Sequence, residues 1–395
     1  MKRLTSLALV VGMASPAFPA KSVKLDKLDQ LLMHAHGKSD RSVAKQLFGL
    51  ELVERLSSVR LAHREAELPG PKSRQALVAL ADASAFLPLP PDEIPAILAL
   101  DRAAQDSLLS RTRDYVANAI PKLPNFFATR DAIDFSDETE DVESMTLVDY
   151  HYQQMHPIGT SSEKVYFREG KEVVDGHSTK QISFAGKALA TQGIFGEALE
   201  LILVDVLPSG PIWSHWEGSA NAPLTVFQYA VPLESSHYVV VVPGVPRASQ
   251  TSDAYHGEIT IDPSNGTVVR LTLVAELSRD SRVSRGDVMV EYGPVDIGGI
   301  NCTCPVKSAS LTVQRPTTSG FKYKLNAEAT KAGAPQTKMN QIQSSYDSAD
   351  YAPLVTKVSD ARFSNYHQFR SDIRILTGNN VKPDPNPSPS DVNQP

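Results

Sequence analysis

Two cysteines and two tryptophans are all that the 395 residues hold of those types. A chain this poor in cysteine is not a disulfide scaffold. Cys302 and Cys304 sit one residue apart, so a bridge between them would close a strained ring. A metal site there would need about four ligands, and no histidine lies near the pair in the sequence. They read as two small buried residues on one face of a strand. Basic residues are in short supply as well: 39 Lys and Arg stand against 45 Asp and Glu, a net charge of −6. That balance lacks the basic field a nucleic-acid partner requires. No apolar run reaches the ~20 residues of a membrane helix, so no integral membrane span is expected. Catalytic motifs are missing too. There is no Gly-x-Ser-x-Gly and no Gly-rich phosphate loop opening a helix after a strand, and His34-Ala35-His36 lacks the spacing of a helical zinc pair. No catalytic residue, metal ligand or cofactor is expected, and the chain reads as a non-enzyme.

What is present begins with an export signal over residues 1–20. Lys2 and Arg3 precede an apolar core, Leu7-Ala8-Leu9-Val10-Val11, and small residues follow from Ala14 to Ala20. Ser15 and Ala17 favour cleavage after Ala17; cleavage after Ala20 would set bulky Phe18 at a small-residue position. Without Lys2 and Arg3 the balance is 37 basic to 45 acidic residues, a net −8. The expected location is periplasmic or secreted.

Residues 21–121 read as a helical domain. Asp40 is a candidate N-cap for a helix over 42–67, where Val43, Leu47, Leu50, Val53 (or Glu54), Leu56 and Leu61 recur at three- to five-residue intervals. Pro69-Gly70-Pro71 ends it, a second helix covers 73–86, and a third runs from the acids at 92–93 to Ile120. The one-sided stripes predict that these helices pack mainly on each other. Residues 122–143 read as a linker ending in an acidic run, Asp137 to Glu143. That run lacks the alternating carboxylates and glycine turn of a calcium loop.

From Met145 the period changes to two, and residues 144–376 read as antiparallel strands. The clearest hairpin is Tyr255 to Ile261, the turn Asp262-Pro263-Ser264-Asn265-Gly266, then Thr267 onward. A helical pattern over 193–206 interrupts the series with Phe195, Leu199, Ile202 and Leu203. Strands are expected again over 237–243, 288–295, 301–308, 321–329 and 363–369. The Pro-rich tail, 377–395, is expected to be disordered. The predicted class is α+β: a helical unit, then a large curved antiparallel sheet, half-barrel-like, with a helix across or beside its concave face.

Several segments together carry a resemblance. They include Trp213-Ser214-His215-Trp216-Glu217, Tyr229-Ala230-Val231-Pro232, Tyr255-His256-Gly257-Glu258, Tyr292-Gly293-Pro294-Val295 and Leu123-Pro124-Asn125-Phe126-Phe127. The chain resembles a family of uncharacterised exported bacterial proteins, over most of its mature length. That likeness implies no activity and no catalytic residues. By hairpin pattern and order, the strand half is similar to the half-barrel of lipoprotein carriers and outer-membrane lipoprotein-sorting proteins, which implies an acyl-chain cavity.

Three functions follow as expectations. The first is a binding protein for a lipid or other apolar ligand, its cavity lined by Trp213, Trp216, Tyr229, Val231, Tyr255, Ile259, Phe195 and Leu199. In a regular strand Trp213 and Trp216 face opposite ways. The second is a structural or protein-interaction module of the cell envelope, with an envelope protein as partner through the helical domain. The third is a hydrolase assembled from dispersed residues, which a buried Ser–His–Asp contact would support. A filled core with an exposed apolar patch on the helices favours the second.

Overall fold

The computed structural model describes residues 20–35, 37–138, 154–168, 171–174, 177–178, 197–220, 222–240, 252–277, 283–314 and 354–369, with the single positions 333, 335 and 337. The expected signal over 1–19, most of the acidic run, the first strand from Met145, Phe195, the strand over 321–329 and the Pro-rich tail lie outside the described residues.

The N-terminal run is more broken than its apolar spacing predicts. α1 (Leu25–Met33) and α2 (Asp40–Phe48) are followed by β2 (Leu50–Leu52), which pairs in parallel with β1 (Lys21–Val23). The expected helix over 42–67 is therefore two helices. α3 (Ser58–Glu67) restarts at Ser57, whose hydroxyl accepts from the Arg60 amide at 3.2 Å. A serine N-cap inside an apolar-periodic run divides it. Asp40 does not cap its own helix. Ser39 does that, while the Asp40 carboxylate accepts from the amides of Lys72 and Ser73 at 3.0 and 2.8 Å and from the Ser73 hydroxyl. It thus closes the N-terminus of α4 (Pro71–Ala83), and the Ser73 hydroxyl holds its pKa below the usual value. A side chain at Gly70 would collide with this carboxylate, its Cβ lying 2.6 Å from Oδ2. Leu28, Val43, Leu47, Ala76 and Leu77 form the core of this unit, all at most 1–2 % exposed.

α5 (Arg102–Lys122), capped by Asp101, behaves differently from the mutual packing its stripe suggests. Its buried apolar residues, Leu108 and Val116, join the core beneath the sheet rather than that of α1–α4. Arg111 donates to the carbonyls of Pro263 and Ser264, which fixes α5 across the hairpin turn.

The segment read as a linker from residue 122 contains a strand, β3 (Phe126–Ser136). Among the described residues the large sheet has eleven strands in the order β6-β5-β4-β3-β13-β12-β11-β10-β9-β8-β7. These are β4 (His156–Arg168), β5 (Lys171–Val174), β6 (His177–Ser178), β7 (Ile212–Glu217), β8 (Leu224–Val231), β9 (Tyr255–Ile261), β10 (Val268–Ala275), β11 (Val283–Ile297), β12 (Ile300–Gln314) and β13 (Val355–Gln368). Neighbours in this sheet are antiparallel. The order is a cyclic meander opened between the consecutive strands β6 and β7, with the last strand, β13, joining the first, β3. Among the described strands the sheet does not close into a barrel. The chain between its two edges carries α6 (Glu197–Leu201) and a π-helical turn, Ile202–Val206, inside the expected helical span.

The hairpin forms as the turn chemistry requires: β9 pairs with β10, and Gly266 takes a positive φ of 79°. The strand expected at 237–243 does not form over its described part. A 3-10 turn, Leu233–Ser235, leads into non-strand backbone through residue 240. Cys302 and Cys304 are free thiols on β12, half-buried and buried.

Candidate functional site

One face of the sheet is filled from inside the chain. Leu108 and Val116 of α5, with Leu199, Ile202 and Val206 of the interrupting helix, pack against Phe227, Tyr229, Ile259 and Leu271, none more than 5 % exposed. Most of the expected cavity residues lie here. Tyr229 donates to the Thr272 carbonyl at 2.5 Å, and Tyr255 to the Asp205 carboxylate at 3.0 Å. Val231, Ile259 and Leu199 are core. Buried phenols with a partner are satisfied packing groups, and burial lifts the pKa of Tyr229 and Tyr255 well above the phenol value. Two clefts on the described surface, of about 360 and 300 Å3, touch none of these residues.

The tryptophans depart from regular alternation. A bulge between Trp213 and His215 shifts the register, and the two indoles meet edge-on, centroids 5.2 Å apart. Trp213 also packs on Phe227. Trp216 instead leaves the core, and its Nε1 donates to the Leu98 carbonyl at 2.9 Å. This bond holds the stretch after α4 against the edge strand β7. Leu98 is 91 % exposed and its neighbour Ile97 46 %, and on the same edge strand, four residues before Trp216, Ile212 is 71 % exposed.

The other face of the sheet carries charge beneath α3 and α4. Glu217 accepts two bonds from Arg270, at 3.0 and 2.9 Å, and one from Arg55 at 2.7 Å. Glu258 stands 3.6 Å from both guanidinium groups. Farther along, Lys307 donates to Asp82 of α4 at 2.6 Å with Asp360 at 3.7 Å. The cleft of about 300 Å3 lies between these two ion groups. Burial raises Asp82 to about 7 against the pull of Lys307, and burial likewise raises Glu217 against Arg55. Ligand sites do perturb carboxylates in this way, as do structural ion networks. Here Arg55 of the helical unit meets Glu217 of the sheet and Lys307 of the sheet meets Asp82 of α4, so the cleft reads as the charged seam joining helices to sheet. Spacing gave no sign of it, since Arg55 and Glu217 lie 162 residues apart and Asp82 and Lys307 lie 225 apart.

Two histidines have acid–base geometry. The Ser214 hydroxyl lies 2.9 Å from His215 Nδ1, while His215 Nε2 is buried with no hydrogen-bond partner among the described residues. Burial lowers the His215 pKa. A triad needs an acid on that second nitrogen, and none is there. Asp205, in the π-turn, accepts from the His237 amide at 2.9 Å, its Nδ1 at 2.6 Å and Tyr255, which anchors residues 236–240 to the core. No group of three or more metal-binding side chains occurs among the described residues, and none of the described helices is long and apolar enough to cross a membrane.

No family model, curated protein or solved structure matches the chain.

Proposed function

We propose that this protein is an exported, non-catalytic interaction module of the cell envelope, which binds a partner protein through the apolar strip at the β7 edge. The observation that carries this reading is Leu98, 91 % exposed beside Ile97 and held in place through its own carbonyl by Trp216. A large apolar side chain on an anchored backbone, next to a strand that ends the sheet among the described residues, is the pattern of an interface rather than of a loose loop. β7 bears neither lysine nor proline to guard that edge. A lipid carrier needs open apolar space on the concave face, and Ile202, Leu199 and α5 stand there in close packing. The lone Ser214–His215 contact gives hydrolysis no support.

The test is site-specific photo-crosslinking in the native host, with the reactive residue at position 98 and, as control, at exposed Met33. The expected result is a discrete crosslink from position 98 alone, abolished by Ile97→Glu and Ile212→Glu in a protein of unchanged melting temperature. Equal crosslinking from both positions, or none from position 98, contradicts the reading.

A further inference from the structure

Beyond the reach of α4, the charged face of the sheet ends in a cluster of aromatic rings on β3, β4 and β13. Phe127 pairs across the strands with Tyr166 on one side and His367 on the other. Ring centroids are 6.2 Å apart for Phe127–Tyr166, 5.2 Å for Phe127–His367 and 5.8 Å for Phe127–Phe369. Tyr166 and Phe369 stack nearly parallel, 11° apart. Two cations lie on these rings. The Arg168 guanidinium is 4.5 Å from the Phe369 centroid and 5.3 Å from that of Tyr166, and the Lys164 ammonium is 5.1 Å from Phe127.

The rings are half-buried, while Lys164, Arg168 and His367 are exposed. Among the described residues, alternation keeps carboxylates away. Glu163 belongs to the opposite face, paired with Arg130 at 3.1 Å, and on this face of β3 the first acid is Asp131, opposite Arg362. A net-negative chain therefore carries a small patch of positive sign, built of two apolar rings and the amphipathic Tyr166 under cations. A tyrosine ring settles at the headgroup level of a bilayer, phenylalanines beside it reach the headgroup–acyl boundary, and cations next to them are drawn to anionic headgroups. A guanidinium lying over a ring keeps its N–H edge free for two phosphate oxygens. Nucleic acid fits less well, because two cations on an acidic protein make no basic field.

We propose that this aromatic and cationic end of the sheet is a contact surface for an anionic lipid membrane, with Arg168 and Lys164 on the phosphate headgroups and Phe127, Tyr166 and Phe369 at headgroup depth. It lies on strands remote in sheet order from the β7 edge and does not depend on the partner reading.

The experiment is co-sedimentation of the full chain with vesicles of phosphatidylglycerol and phosphatidylcholine in equal parts, against pure phosphatidylcholine, at low and high salt. Wild type should sediment with the anionic vesicles only, and less at high salt. The double variant Lys164→Gln with Arg168→Gln should partition about thirtyfold more weakly, the worth of two surface cations. Arg102→Gln, an exposed cation of α5, should leave binding unchanged. Both variants are checked by thermal melting. Failure of wild type to sediment with anionic vesicles, or equal sedimentation of the double variant, overturns the proposal. So does full release by millimolar glycerol phosphate, which would mean that the cations take a free phosphate rather than a membrane surface.

Discussion

Glu217→Gln should be the most damaging conservative substitution in the seam, and its cost can be worked from the contacts. The carboxylate is 7 % exposed in its side chain and sits between Arg55 and Arg270, themselves 3 % and 11 % exposed. Neutralising it leaves two buried guanidinium groups with only Glu258, at 3.6 Å, to balance them. Breaking a buried pair in that way costs about 3–5 kcal/mol. Arg55→Met is milder, because Glu217 keeps both bonds from Arg270; one charged hydrogen bond is lost, about 1.5–3 kcal/mol. Replacing all three at once, Arg55→Met with Glu217→Leu and Arg270→Met, should cost less than Glu217→Gln alone, since burial already raises Glu217, the network does not fully offset its own desolvation, and the one charge left over, Glu258, keeps a fifth of its side chain in water. Urea unfolding gives the three free energies, and amide exchange locates the loss. Protection should fall first in α3 and α4, which the seam fastens, and last in β9–β12. A Glu217→Gln cost below ~1 kcal/mol, or a triple variant as damaged as the single one, would mean that Glu217 does not balance the two buried guanidinium groups.

Gly257→Ala should destabilise by about 3 kcal/mol or more in the same assay, since its Cβ would lie 1.9 Å from the Thr272 carbonyl oxygen and 2.9 Å from the Tyr229 hydroxyl. Asp205→Ala should cost about 3 kcal/mol, leaving buried Tyr255 and the His237 amide without their acceptor, and should raise proteolysis at residues 236–240. Asp82 sets a pH slope. Its folded pKa, about 7, lies above the unfolded value of 3.8, so its contribution is fully present below pH 3.8 and is lost as pH rises through 7. Chemical denaturation from pH 4 to 8 should show that loss in wild type and not in Asp82→Asn; parallel curves would contradict it.

The parts of the fold that were legible in the sequence are those decided locally. Pro263 and Asn265-Gly266 between alternating runs specify the β9–β10 hairpin, and the helical spacing of Leu199, Ile202 and Leu203 marks the element that interrupts the strands. Non-local facts were not legible. The stripe on α5 says that Leu108 and Val116 are buried, but not that their partner is the sheet. β3 was obscured because Arg130, 6 % exposed, sits among its inward residues and is balanced by Glu163 on β4, so the strand shows no clean apolar alternation. The Trp213 and Trp216 orientations depend on a one-residue bulge, which no period-two pattern can reveal. The seam needed three dimensions, because Arg55 and Asp82 carry no local mark of the acid and the base they meet.

Native mass spectrometry of the protein purified from its own host separates a partner-binding module from a lipid carrier. The chain should appear without bound lipid, together with a complex containing a second protein, and that complex should vanish with Ile97→Glu and Ile212→Glu. A stoichiometric acyl lipid carried by the chain and released only on unfolding would contradict the partner-binding reading, because the packed concave face would then have to open around that lipid.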